Sequence, residues 1–460
     1  SERLKPFAAD WLLSIANLDI FGDDVLTLAR RGAVNFHDGP LPRYAGLNAP
    51  VWARLAGEKT HGISWHFIES GVDTGAVISQ VPFDISANDT ALTLNTKAYE
   101  AALGSFDVLM AKLALEEVPS TPQDAADRSY FGKFKRPRAF GLIDFAAKPE
   151  EIVALVQGLD HGPYWNPLTT ARVEHDGKII AVKGAEATGL SSTGASIGTL
   201  LDVSEFSITV ATSGASVVLR DMTDLAGNPI DVTKVFMKGD VLSSPDEAVS
   251  AELDKVQELA AHGEEHWRAA LGELKPAKLA LLREVKGSDQ IRRVALNVAL
   301  NSEMLFERCA GLVARVSEAG IADLAYQSAM PLTATGHISH WVPLRFSEHF
   351  ERRLLTARKW PAFAGDIVLR DPEIASVQQP QIGLSEAGAI KGCALTITSD
   401  AIYYDSALVS PALADIWAAR IEHIAAQKSL PDELAAWPIM PESERECSVE
   451  LWNATEAKYD

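Results

Sequence analysis

The first quarter of the chain alternates short apolar runs with amphipathic stretches. Trp11 to Ile15 reads as a short apolar strand, Asp24 to Arg31 as a helix, and Gly32-Ala33-Val34-Asn35-Phe36 as a second strand. Gly62 to Phe67 and Val77 to Gln80 have strand patterns, and Leu92 to Leu115 repeats its apolar positions with a helical period. Strands alternating with helices predict an α/β sheet. The polar stretch Val118-Pro119-Ser120-Thr121-Pro122-Gln123-Asp124 predicts a linker. Beyond it, Pro149 to Gly158 reads as a helix, followed by short β runs at 170–173, 179–182, 198–203, 207–211 and 216–219. Short strands joined by Gly-rich turns predict a small barrel. From Glu252 onward helical patterns dominate at first.

Composition narrows the function classes. At 460 residues the chain exceeds one ordinary core, so about two to four domains are expected. No run reaches the ~20 apolar residues that span a bilayer, and SERLKPFAADW does not read as a secretory leader. A cytoplasmic location without membrane contact is expected. The net charge of −20 repels polyanions over most of the surface. The one basic patch, Lys133-Phe134-Lys135-Arg136-Pro137-Arg138, is small and reads equally well as a solvated linker, so no nucleic-acid partner is expected. Cys309, Cys393 and Cys447 are far apart and odd in number. They form neither a disulfide framework nor a zinc pattern, and buried free thiols are expected. No metal is expected.

Candidate chemistry concentrates between Val34 and Gly75. Asn35 and His37 stand two apart at the end of an apolar strand, so their side chains point the same way. Gly39-Pro40-Leu41-Pro42 then stiffens the backbone into a turn. Asp73 lies in the Gly-flanked loop Ser70-Gly71-Val72-Asp73-Thr74-Gly75, which can bring its carboxylate to that strand end. Ligands of open α/β sheets bind at such strand ends. An amide, an imidazole and a carboxylate together suit acyl transfer to an amine. Asn35 and a protonated His37 can donate to the tetrahedral oxyanion. Asp73 can take the amine's proton or hold His37 in its useful state.

The combination Asn35, His37, Leu41, Pro42, Tyr44, Gly46 and the Gly71–Gly75 loop resembles the formyltransferases that use 10-formyltetrahydrofolate. That resemblance implies an incomplete Rossmann-like α/β catalytic domain with Asn35, His37 and Asp73 as catalytic residues. It also implies 10-formyltetrahydrofolate as formyl donor. Ala16, Asn17, Leu18, Ile20 and Phe21, with Gly71 and Val72, occupy the place of the family's folate site. Asn17-Leu18 replaces the aromatic-Gly pair that many tRNA-formylating members carry there. His66 also resembles a family position and is read as structural. Ile143-Asp144-Phe145 with Ile152 to Asp160 is similar to the start of the family's OB-like C-terminal domain. The family's sheet has further βα units before the folate loop, whereas this sequence opens at Ser1, so a truncated sequence is expected.

The last part carries a second resemblance. Glu265-His266-Trp267-Arg268-Ala269-Ala270-Leu271, Leu305 to Ala329, Gly336 to Leu344 and Ala401 to Leu408 are similar to the second lobe of nonribosomal peptide synthetase condensation domains. Pro441 to Arg445 with Leu451 to Tyr459 is similar to the linker that leads into an adenylation domain. The condensation signature His-His-x-x-x-Asp-Gly is absent, which implies a docking lobe without that catalysis. The expected order is a catalytic domain at 1–138, an OB-like barrel at 139–240, a partial α+β condensation-like lobe at 241–445 and a linker at 446–460. The expected acceptor is the amine of an amino acid, free or bound to a carrier protein, with adjacent synthetase domains as partners. A small free amine such as a sugar nucleotide or hydroxyornithine, or a degenerate scaffold without activity, are the alternatives. His262 and His266, at i and i+4, read as a solvated helix face, and His337 and His340 as core-edge histidines.

Overall fold

The computed structural model describes residues 7–192, 194–280, 290–317, 320–330, 333–334, 336–374 and 376–446. Cys447 and nearly all of the expected adenylation linker lie outside the described residues. The chain divides into two compact units, Ser1–Asp254 with Leu369–Pro372, and Lys255–Val368 with Glu373–Asp460.

The first unit opens with β1 (Trp11–Ser14), α1 (Asp23–Leu26), β2 (Gly32–His37), β3 (Ala45–Gly46), α2 (Ala49–Leu55), β4 (Thr60–Phe67), β5 (Val77–Asp84) and α3 (Ala91–Leu113). The main sheet has the order β1-β2-β4-β5. β1 runs parallel to β2, and the remaining pairs are antiparallel. Its two faces follow from the period of two along each strand. Val34 and Phe36 of β2, with Ile63 and Trp65 of β4, pack with Ala98, Ala102, Leu109 and Leu113 of α3 in one apolar cluster. Asn35, His37, Ser64 and His66 alternate with those residues and take the other face. The register pairs Asn35 with His66 and His37 with Ser64. A slip of one residue would put four polar side chains under α3, so burial of the apolar face fixes the polar constellation. Thr90 caps α3 by accepting from Thr93 N, in a capping box.

Two segments differ from the sequence pattern. The helix expected at 24–31 is only Asp23–Leu26; it buries no residue and has no side-chain cap. Arg30 N and Arg31 N instead donate to the Ala9 and Asp10 carbonyls and lead the chain into β2. The expected linker at 118–124 is tied to the sheet. Thr121 and Val77 exchange backbone hydrogen bonds at 2.8 Å each. Its Pro, Ser and Gln content reads as loop because the bridge contributes no apolar periodicity. β5 continues to Asp84 through Pro82, which an edge strand tolerates.

After β6 (Tyr130–Phe131), α4 (Pro149–Gly158) lies against the strands β7 (Arg172–His175), β8 (Lys178–Ser191), β9 (Leu200–Val203), β10 (Ser207–Ala211) and β11 (Ala215–Thr223). Their order is β7-β8-β11-β10-β9, antiparallel throughout. Where a closed barrel is expected, β7 and β9 do not pair among the described residues, and the sheet is a half-barrel. The long β8 pairs with β7 along its first residues and with β11 along the rest. The short helix α5 (Val232–Val235) follows.

α6 (Glu247–Gly272) carries the boundary between the units. The second unit contains β12 (Ile291–Ala295), α7 (Ser302–Val316), β13 (Asp323–Gln327), β14 (Val342–Arg345), α8 (Phe350–Lys359), β15 (Ile382–Ser385), β16 (Leu395–Ile397), β17 (Ala401–Asp405) and α10 (Pro411–Ala425), with α9 at Ile367–Arg370. Its six-stranded sheet has the order β12-β17-β16-β15-β13-β14 and is mixed, with β13, β15 and β16 parallel. Arg308, buried on α7, donates to the carbonyls of Ile424, Ala425 and Gln427 at the end of α10, where a cation suits the helix C-terminus. Cys309 and Cys393 are buried free thiols. Burial pushes both up, Cys393 to about 11, so neither is a ready nucleophile. His262 Nδ1–H donates to the Glu258 carbonyl at 2.8 Å. His266 packs against Trp267 and Trp360. His337 is buried, and His340 contacts the Lys391 carbonyl through Nε2 at 2.8 Å. Among the described residues no helix is long and apolar enough to cross a membrane, and no group of three or more His, Cys, Asp or Glu is placed to hold a metal ion.

Candidate active site

The polar face of β2 and β4 meets the Gly71–Gly75 loop at the carboxyl end of β2. Asp73 Oδ2 lies 3.6 Å from His37 Nδ1, and Asp73 Oδ1 lies 3.4 Å from His66 Nε2. Asn35 Nδ2 is 3.2 Å from the same His66 nitrogen. The structure therefore brings Asn35, His37 and Asp73 into one cluster, with His66 bridging the amide and the carboxylate. In the sequence His66 resembles a family position and is read as structural; the geometry puts it inside the constellation.

Each ring is oriented by its other nitrogen. His37 Nε2–H donates to the Tyr44 carbonyl at 2.8 Å, which aims Nδ1 at the carboxylates. His66 Nδ1–H donates to the Phe67 carbonyl at 2.7 Å, which leaves Nε2 for Asn35 and Asp73. The turn after β2 makes room for this. A Cβ on Gly39 would stand 2.7 Å from His37 Nε2 and 3.1 Å from the Tyr44 carbonyl oxygen. Ser64 Oγ accepts from Leu41 N at 3.0 Å and donates to the Gly39 carbonyl at 2.7 Å, locking the same turn.

Asp73 is held from several sides. Its φ of 51° is left-handed, a region that Asp and Asn enter more easily than most residues. Oδ2 accepts from Gly46 N at 2.8 Å. Gln123 Nε2 donates to the Asp73 and Gly75 carbonyls, and Arg128 donates to the Val72 and Asp73 carbonyls. Burial alone would raise the Asp73 carboxyl. The hydrogen bond from His66, the charge of His37 and the Gly46 N–H outweigh it and hold the group below the usual range. Gly46 belongs to the residues that carry the resemblance, whereas Gln123 and Arg128 carried no legible signal, because they act on backbone carbonyls.

Gly46 offers a sharp test. Its φ is +99°, and a Cβ there would stand 2.1 Å from the Phe131 carbonyl oxygen. Gly46→Ala should destabilise the protein by roughly 2–4 kcal/mol through strain and displaced backbone. The denaturation midpoint should fall, because the backbone that anchors Asp73 moves. An unchanged midpoint would contradict this geometry.

A second histidine sets a pH dependence. His61 Nε2 lies 2.8 Å from the Asp38 carbonyl, and the ring packs between Tyr44 and Phe83. Burial lowers His61 from 6.5 to about 4. The unfolded chain takes up this proton below pH 6.5, whereas the folded chain does so only near 4. Stability from His61 is therefore fully present above 6.5 and lost as pH falls toward 4, up to roughly 3 kcal/mol. His61→Leu should flatten the thermal midpoint between those pH values relative to the wild type. Parallel curves would overturn the assignment.

The residues expected to grip folate lie on the loop that leaves β1. Ser14 pairs in register with Asn35, so this loop departs beside the polar cluster. Ala16 has a φ of 52°, and Asn17 turns back to the Asp19 backbone through Nδ2 and Oδ1. Leu18 and Ile20 are 81% and 87% exposed, and Val72 is exposed beside Asp73. Phe21 and Gly71 are half-buried. An apolar rim next to a polar cluster suits a flat heteroaromatic ring with one reacting group.

Residues 1–105 match the Formyl transferase family, and residues 137–240 match the Formyl transferase, C-terminal domain family. These matches and the site define the chain as a transferase. Both matched segments are formyltransferase domains. Solved structures similar to it include the N-formyltransferase from Helicobacter canadensis in complex with folinic acid and dTDP-3-aminofucose. That one is 18% identical over 46% of this chain and 73% of its own, with a TM-score of 0.38. WlaRD, a sugar 3N-formyl transferase in the presence of dTDP and 5-N-formyl-THF, is 18% identical over 47% of this chain and 75% of its own, with a TM-score of 0.39. HypX from Aquifex aeolicus in complex with tetrahydrofolic acid is 16% identical; 53% of this chain covers 44% of HypX, with a TM-score of 0.37.

Proposed function

We propose that this chain moves the formyl group of 10-formyltetrahydrofolate to the primary amine of an amino acid, free or held on a carrier protein, in nonribosomal peptide synthesis. The observation that carries the transfer chemistry is the convergence of Asn35, His37 and Asp73 at one strand end. In this reading Ala16, Asn17, Leu18, Ile20 and Phe21, with Gly71 and Val72, cover the pterin ring. Asn35 and His37 Nδ1–H steady the oxyanion that forms when the amine adds to the formyl carbon. Asp73 keeps His37 aligned toward that oxyanion.

The acceptor reading rests on the second unit, whose sequence resembles a condensation lobe without its His-His signature. The proposed organisation is a catalytic domain at 1–138, an OB-like domain at 139–240, a carrier-docking lobe at 241–445 and a linker at 446–460 toward further synthetase domains. Mixing the full chain with 10-formyltetrahydrofolate and valine, the N-acetylcysteamine thioester of valine, or a dTDP-amino sugar distinguishes the acceptors. Folate absorbance and product mass are the readouts. Transfer to the thioester supports the carrier reading. Transfer to the sugar alone replaces it with the free-amine reading, and no transfer to any of the three removes the proposal.

A further inference from the structure

We propose that Asp38 is the group that meets the incoming amine: it captures the acceptor as an ammonium ion and takes its proton, while Asp73 remains a fixed anchor. The inference rests on the formyl-transfer reading above. Two carboxylates flank His37 Nδ1, Asp73 at 3.6 Å and Asp38 at 3.7 Å. They differ in what else holds them. Asp73 Oδ2 is filled by Gly46 N–H, Oδ1 faces His66, and the side chain is 11% exposed. Both Asp73 oxygens thus already have partners, on an enclosed side chain. Asp38 is held by its backbone, through the His61 ring on its carbonyl. Its carboxylate is 32% exposed and, among the described residues, its one ion pair is with His37. Asp38 is thus the more exposed of the two carboxylates, and Asp73 the more enclosed.

Electrostatics separates the two in the same sense. Burial raises the Asp38 carboxyl, and the charge of Asp73 adds to this against the opposing effect of His37. Asp73 is held low. The stronger base of a coupled pair is the better proton acceptor. An alkylamine enters as R–NH3⁺ at neutral pH and is attracted by both carboxylates. One N–H proton passes to an Asp38 oxygen, and the freed lone pair forms the bond to the formyl carbon. The carbonyl π pair becomes the oxyanion facing Asn35 and His37. The second proton moves from the new R–NH2⁺ centre to folate N10 as the C–N10 bond breaks and the carbonyl re-forms. The products are R–NH–CHO and tetrahydrofolate, and Asp38 returns its proton to solvent.

The test compares two acceptors with the full chain and 10-formyltetrahydrofolate. One is the N-acetylcysteamine thioester of 3-aminopropionate, an alkylamine charged at neutral pH. The other is the aminooxy analogue, whose nitrogen is already neutral at pH 7. Asp38→Asn should lower kcat/KM for the alkylamine by ~10²-fold at pH 7 and for the aminooxy acceptor by less than ~10-fold. Raising the pH should restore the alkylamine rate in this variant. Asp73→Asn should lower both substrates alike. Binding of 5-formyltetrahydrofolate, followed by fluorescence, should match wild type in Asp38→Asn and show that the site is intact. An equal loss for both amines, or no loss, overturns the role of Asp38. A wild type that formylates neither amine overturns the transfer reading beneath it.

Discussion

Asp73→Asn is expected to lower formyl transfer by ~10²–10⁴-fold while leaving the fold in place. The substitution suits the backbone, since Asp73 sits at a φ of 51° that asparagine also adopts. Its amide oxygen can still accept from Gly46 N. What is lost is the negative charge 3.6 Å from His37 Nδ1 and 3.4 Å from His66 Nε2. Without it, a protonated His37 facing the oxyanion has no counter-charge, and Asn35 loses the neighbour that orients it through His66. The loss should therefore appear in kcat with a small change in KM for the folate. Single-turnover transfer to the amine, with thermal unfolding as the control for folding, measures both. A variant with wild-type turnover would remove Asp73 from the mechanism.

His37→Gln is expected to cost at least ~10²-fold in kcat. Glutamine retains a donor of similar reach, so the Tyr44 carbonyl can remain paired and the turn around Gly39 can remain closed. It supplies no positive charge where the carbonyl oxygen becomes negative. A charge-assisted hydrogen bond is roughly twice as strong as a neutral one, and in a water-poor site the difference falls on the transition state. Binding of 5-formyltetrahydrofolate should change little. A fall in binding that matches the fall in rate would mean that His37 holds the donor instead of acting on the reacting carbon.

The strands of the main sheet and helices α3 and α4 were legible because their faces differ in polarity. Val34 and Phe36 against Asn35 and His37 is a period of two that needs no tertiary information. The same alternation marks Ile63 and Trp65 against Ser64 and His66. Helix α4 matches its expected span of Pro149 to Gly158. Three things stayed hidden. Gln123 and Arg128 bond the Asp73 loop through its backbone carbonyls, which no residue pattern reports. α1 shortened because nothing apolar anchors it. The open half-barrel stayed hidden because closure depends on whether β7 and β9 pair, and strand count alone does not specify that.

The pairing of β2 with β4 also sets where the chain can change length. Gly57 lies in the turn between α2 and β4, with a φ of +72° and open space where a side chain would go. Residues gained there only lengthen a loop. One residue gained inside Thr60–Phe67 would turn His66 toward α3 and send Trp65 to water. Length variation among related chains should therefore gather in the turn, while the span from His61 to Asp73 keeps a constant count of residues.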